Sequence, residues 1–118
     1  MARLRLSNLA QADIRHVLSW TAERYGTRAR ARYQQLVAAG LRDLLAEPLR
    51  PGSIARPELG DEVRSYHLRH SRHKSAVGKP RHLILYRIVD RSIVEVGRVL
   101  HDAMELDRHQ TFGPSENP

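Results

Sequence analysis

Apolar and polar positions change their period along the chain, and each change marks an element. Arg3-Leu4-Arg5-Leu6 alternates with period two, which predicts a short strand. Ser7 and Asn8 supply N-cap chemistry for a helix in which Ala10, Ile14, Val17, Leu18, Thr21 and Tyr25 form one apolar stripe. Gly26 ends it, being suited to the left-handed conformation at a helix C-terminus. Thr27 is placed to cap a second helix. Its apolar face is Ala29, Tyr33, Leu36, Val37, Gly40, Leu41 and Leu44, and Arg28, Arg30, Arg32, Arg42 and Asp43 are expected in solvent. Glu47-Pro48 stops this helix, because the residue before proline avoids helical backbone angles. The two helices form an antiparallel hairpin with one shared apolar side.

Pro48 to Gly60 is rich in proline and glycine and reads as a loop. From Val63 to His70 the pattern alternates again, with Tyr66 and Leu68 on one side and His67 and Arg69 on the other. Ser71 to Arg81 is a long polar turn. Leu83 to Val89 is apolar on both faces, the mark of a central strand. Asp90-Arg91 turns the chain, and Ile93 to Leu100 returns antiparallel. A short helical turn is expected from His101 to His109. The predicted architecture is α+β: an N-terminal strand, the helical hairpin, then a three-stranded antiparallel meander. All strands join one sheet with the hairpin on one face and the other face open. Residues 1–110 make this single domain, with Leu36, Leu41 and Leu44 in its core, and 111–118 form a disordered tail.

The chain has 118 residues, enough for one compact domain. It has no cysteine, which excludes thiolate metal sites and a cysteine nucleophile. No apolar run approaches the ~20 residues of a membrane span, so the expected compartment is the cytoplasm. Charge changes the picture more. The formal net charge is +7. From Val63 to Val89 stand Arg64, Arg69, Arg72, Lys74, Lys79, Arg81 and Arg87 with no acid, so this one stretch accounts for the whole excess. An electropositive surface built there selects an anionic partner, either a nucleic acid or an acidic protein segment.

The pieces "LRLSNLAQADI", "RSYHLRHSRH", "RHLILYRIVD" and "VEVGRVLHDAMELDRH", in this order, resemble the RelE/ParE superfamily of bacterial toxins from type II toxin–antitoxin systems. The closing "RVLHDAMELDRH" resembles the ParE branch. The resemblance covers Leu4 to about His109. It implies a cognate antitoxin whose C-terminal segment wraps the toxin. It also implies one of two activities: poisoning of DNA gyrase, as in the ParE-like branch, or ribosome-dependent cleavage of messenger RNA, as in the RelE-like branch. A basic nucleic-acid-binding module is a third class that the charge permits, without a helix-turn-helix, phosphate loop or RNA-recognition motif to support it.

RelE-like cleavage needs a base, an acid and cations for the phosphate. By resemblance, the position of the first arginine falls near Leu83, and the tail positions fall near Asp102 and Arg108, with His101 adjacent. His101 is thus a catalytic candidate only under the nuclease reading; otherwise it caps a strand or a helix end. Gyrase poisoning is the favoured activity. Arg64, Arg69, Arg87 and Arg98 on neighbouring strands form a candidate anion site for a partner, and His67 joins them. Tyr66 suits either that contact or the core, and Trp20, just off the first helix's stripe, suits either a groove contact or the edge of the core. His67, His70 and His73 are spaced by three, which on a strand turns His67 and His70 to opposite faces, so no metal site is predicted. No cofactor is implied.

Overall fold

The computed structural model describes residues 3–90, 92–104, 106, 109 and 111–112. Strand β1 (Arg3–Leu6) leads into helices α1 (Asn8–Tyr25) and α2 (Thr27–Ala46). Strands β2 (Ser53–Ala55), β3 (Arg64–His67), β4 (His82–Asp90) and β5 (Ile93–His101) follow. They form one sheet in the order β1-β5-β4-β3-β2, with β1 parallel to β5 and every other pair antiparallel. The expected α+β plan is present, with β2 as an addition. This three-residue strand lies inside the proline-rich stretch read as a loop, too short to show a period of its own.

Ser7 joins the first strand to the first helix. Its N–H donates to the Val96 carbonyl, its hydroxyl donates to the Gly97 carbonyl at 2.7 Å, and the same oxygen accepts from the Ala10 N–H. The N-cap therefore also pins α1 to β5. Gly26, at φ 93°, both ends α1 and opens α2, a backbone angle that strains any side chain. Thr27 does not cap α2 as expected: it is the first residue of the helix, and the cap position is held by Gly26 without a side-chain bond. Tyr25 also leaves its predicted stripe. The helix ends there, and the ring is 64% exposed.

The core lies between the helical hairpin and one face of the sheet. Leu36, Val37 and Leu44 of α2 pack with Ala10 of α1 and with Tyr66, Ile84, Tyr86, Val94, Val96 and Val99 of the sheet. Leu41 is only partly buried at the margin of this cluster, a correction to its expected full burial. Asp43 reverses its expectation outright. It is 4% exposed, because the segment after β3 folds back onto α2. Tyr66 donates to the Ser71 hydroxyl, which donates onward to Asp43 at 2.6 Å. Lys74 pairs with the same carboxylate, and Arg50 lies 3.8 Å away. Burial pushes the Asp43 pKa up, but Lys74, Ser71 and Arg50 outweigh it and hold the group below the usual carboxylate range.

The other face is not open. Leu83, Leu85 and Leu100 form a second apolar cluster, covered by Leu59 and Leu106. Beyond it, Thr111 and Phe112 lie against β5 at Gly97, where a Cβ atom would stand 2.3 Å from the Thr111 carbonyl oxygen. Gly97 is the extra residue of a bulge, since Leu85 pairs with Arg98 while Tyr86 pairs with Val96. The tail expected from Thr111 thus begins packed on the sheet at its first two residues; 113–118 lie outside the described residues, as do parts of the helical turn expected before it. No helix among the described residues is long and apolar enough to cross a membrane.

The side chain of Leu44 is fully buried whereas Leu49 is 63% exposed, so the two separate core packing from mere hydrophobicity. Leu44→Ala is expected to cost roughly 2–5 kcal/mol in denaturant unfolding. Leu49→Ala should change the same transition by less than about 0.5 kcal/mol.

Candidate functional site

The residues selected for partner contact do not form one site. Tyr66 is fully buried in the core, its hydroxyl committed to Ser71, so it has no surface to offer. Arg64 stands opposite Tyr86 on the helix-covered side of the sheet and donates to the Ser53 hydroxyl. Arg87, one residue on, points to the other side, where it bonds Glu95 at 2.7 Å and stacks on Phe112 with 4.0 Å from guanidinium carbon to ring centroid. Arg98 bonds Asp13 of α1 at 2.7 Å. Alternation of side chains along the strands sends these arginines apart, and each meets a partner within the chain. Arg69 is exposed on the short 3-10 helix after β3. Trp20 is 49% exposed on α1.

What the fold does bring together is a polar group at one end of the sheet, where β3 finishes, β4 starts and β5 finishes. His82 pairs with His101, and His67 pairs with Leu83. The His82 and His101 rings meet edge to face with centroids 5.2 Å apart. Tyr33 reaches in from α2, its hydroxyl 2.6 Å from His82 Nδ1. The Arg81 N–H donates to that same Tyr33 oxygen at 3.2 Å, so the hydroxyl ties the start of β4 to α2 at two points. Burial, then the neighbouring His101, lowers the His82 pKa from 6.5 to about 4.

Asp102, just past β5, organises the rest. Arg81 grips it with Nε and Nη2, the latter at 2.9 Å. His67 Nδ1 accepts from the Arg69 N–H, so its Nε2 carries the hydrogen that it donates to Asp102 at 2.9 Å. The Arg81 bonds, and next the His67 bond, overcome burial and bring the Asp102 pKa from 3.8 to about 2. His101 Nδ1 accepts from the Ala103 N–H at 3.0 Å, and its side chain is 37% exposed. His101 Nε2, on the more exposed of the two paired rings, is thus placed to meet a ligand. Sequence reading singled out His67 and His101 but missed Tyr33, Arg81 and His82 as members of the group. Counting pairs back along the hairpin from Asp90 opposite Ile93 would have set His82 opposite His101. Nothing in the helical period would have separated Tyr33 from its core neighbours.

Two of the surfaces beside this group suit a protein segment. One is a trough of about 450 Å³ between α1 and the residues after β5, lined by His16, Val17, Trp20, Ala103 and Met104 together with His82 and His101. Trp20 and Met104 are both exposed large apolar side chains. The other is a shallow cavity of about 430 Å³ edged by Arg69, Arg72, Lys79 and Arg81, with no acidic residue among the described residues lining it. The electropositive surface expected from the acid-free stretch thus lies on 69–81, outside the sheet face. An apolar trough beside a basic rim accepts an amphipathic, acidic chain segment.

The two shifted groups set opposite ends of one pH response. Unfolded His82 takes a proton below pH 6.5, but folded His82 does not until about 4. Stability therefore falls as pH drops through that window, by up to about 3 kcal/mol if the whole shift is realised. The Asp102 contribution is fully present above pH 3.8 and is lost as pH falls toward 2. Thermal unfolding should thus be flat above neutrality with respect to His82 and decline between pH 6.5 and 4. In His82→Gln that decline should be shallower.

Comparison with curated proteins finds no match to this chain. A family model does match, across residues 4–106, and its description is ParE toxin of type II toxin–antitoxin system, parDE. With almost the whole chain covered, from β1 through the polar end of the sheet, the protein belongs to the ParE toxin family of type II toxin–antitoxin systems.

Proposed function

We propose that the chain inhibits growth in the cytoplasm by poisoning DNA gyrase and is neutralised by a cognate antitoxin. The observation that carries the choice of gyrase over messenger RNA is the electrostatics at the nuclease-like positions. Leu83, where the resemblance puts the first phosphate-binding arginine, is buried in the far-face apolar cluster. Asp102, at a tail position, is a carboxylate held ionised by Arg81. A fixed negative charge there repels the developing charge of phosphodiester cleavage and also engages the nearest guanidinium. Losing one stabilising donor commonly costs about 10²–10³ in rate. His101 alone, as a general base or acid worth roughly 10²–10⁴, does not supply the missing phosphate clamp.

For the antitoxin, the trough and the basic surface support a segment with two sides. Its apolar side rests against Trp20 and Met104, and its carboxylates face Arg69 and Arg72. Of the contact residues expected from sequence, Trp20 and Arg69 have the exposure this needs; Arg64, Arg87 and Arg98 already bond within the chain. The corresponding experiment co-expresses the chain with the antitoxin encoded beside it. Arg69→Glu with Arg72→Glu should weaken the complex by about tenfold or more, and Trp20→Glu likewise. Arg28→Glu with Arg30→Glu, on the exposed face of α2, should leave it within about twofold. Equal losses from both pairs would remove the proposed seat.

Induction without antitoxin tests the target. The gyrase reading expects blocked replication, DNA breaks and an SOS response, with supercoiling by purified gyrase inhibited by the purified chain. Rapid ribosome-dependent cleavage of messages, abolished by His101→Ala while gyrase stays active, would replace gyrase with messenger RNA as the target.

A further inference from the structure

Trp20, His82 and His101 line a second cavity besides the trough, about 300 Å³ in volume, between the two helices and the segment that leads into β4. Its lining carries two chemistries. It includes the rings of Trp20, Tyr25 and Tyr33, three of the chain's six Trp, Tyr and Phe residues. It also includes Arg32, Lys79 and Arg81, and no acidic residue is among the described residues lining the cavity.

The rings are held in place by neighbouring side chains, and the Arg24 guanidinium, which does not line the cavity, lies 5.4 Å from the Trp20 ring centroid. Trp20 meets Tyr25 edge to face with centroids 5.8 Å apart, and Tyr33 meets His82 in the same way at 5.4 Å. The Tyr33–His82 hydrogen bond fixes that corner further. The cations differ in availability. Arg81 spends Nε and Nη2 on Asp102, whereas Arg32 and Lys79 form no ion pair with a described acid. Ordered aromatic rings and two positive charges without an ion pair to a described acid thus line one space of small-molecule size.

We propose that this cavity binds a nucleotide, with its base against the aromatic rings and its phosphate on Arg32 and Lys79. An acidic peptide side chain would satisfy the cations but leave the rings without a planar partner. An apolar side chain would bury the rings and leave the cations unanswered. A base carrying a phosphate answers both, since every base has a π-face for stacking and the phosphate takes charge-assisted hydrogen bonds from arginine and lysine. The same chemistry comes from a free nucleotide or from the phosphorylated end of a nucleic-acid strand. The proposal does not rest on the gyrase reading or on the antitoxin seat, and its test is read without either partner.

Trp20 is the chain's single tryptophan and lines the cavity, so its fluorescence reports occupancy. The antitoxin-free chain is titrated with adenosine 5′-monophosphate, adenosine, and inorganic phosphate. Saturable quenching by the monophosphate is expected with a Kd below about 1 mM. Adenosine and phosphate alone should each bind about tenfold more weakly or worse, since each lacks half of the contact. Arg32→Glu with Lys79→Glu should weaken the monophosphate by about tenfold or more, and Arg28→Glu with Arg30→Glu by less than about twofold. Calorimetry of the same variants guards against a quench that reports something other than binding. Short single strands with and without a 5′-phosphate distinguish the sources. A phosphorylated strand that binds more tightly than the monophosphate assigns the site to a strand end; equal or weaker binding assigns it to free nucleotides. Quenching that never saturates, phosphate binding as tightly as the monophosphate, or equal losses from the two charge-reversed pairs would overturn the proposal.

Discussion

Strand β4 carries buried apolar side chains on both faces, and the rest of the molecule is arranged to cover it twice. Ile84 and Tyr86 look toward the helical hairpin, and Leu83 and Leu85 look the other way. One layer of helices shields only one of these faces. The second cover is assembled from irregular pieces: Leu59 from a short turn before β3 and Leu106 from the segment after β5, with Phe112 lying further along over Arg87. Burying the far-face leucines removes apolar area worth roughly 1.5–3 kcal/mol per side chain, enough to hold short segments that have no regular structure of their own. The bulge at Gly97 belongs to the same solution, because a side chain there would occupy the space of the Thr111 backbone.

That double cover explains which parts of the fold were legible in the sequence. A period of two or of 3.6 reports an element whose exposure alternates, so β1, both helices and the β4–β5 hairpin could be read directly. Runs apolar on both sides identified β4 as central but did not say what lay on its second face. The answer sits in isolated residues such as Leu59 and Phe112, which carry no period. Asp43 illustrates the converse. By helical spacing it falls beside buried Leu44, and its charge argued for solvent. Lys74, Ser71 and Arg50, brought over it by the turn after β3, make its burial tolerable.

The candidate site was legible in total charge and illegible in placement. The stretch from Val63 to Val89 does supply a basic surface, but through Arg69, Arg72, Lys79 and Arg81 on irregular backbone. Its strand arginines behave otherwise. Arg64 and Arg87, like Arg98 beyond the stretch, find Ser53, Glu95 and Asp13, all of which lie outside it, and those partners localise each charge within the fold. Acids absent from a stretch can still be supplied from elsewhere, so a local excess of arginine overstates the free positive charge on regular elements. The irregular segment 69–81 is neutralised only in part: Lys74 and Arg81 meet Asp43 and Asp102, while Arg69, Arg72 and Lys79 form no ion pair with a described acid.

The polar group at the end of the sheet combines both lessons. It exists because three strand ends coincide there: β3 stops at His67, β4 begins at His82 and β5 stops at His101. Strand ends leave backbone groups without ladder partners, and here side chains take several of them. The Arg69 and Ala103 N–H groups donate to the rings of His67 and His101, and the Arg81 N–H donates to Tyr33. The first two of these bonds set Nδ1 of each ring as the acceptor. The histidines are therefore ordered mainly by termination of the sheet. Their internal hydrogen bonding accounts for Asp102 and for both ring nitrogens of His67 without invoking a ligand, which leaves His101 and the neighbouring aromatic and basic side chains as the parts of this end that face outward.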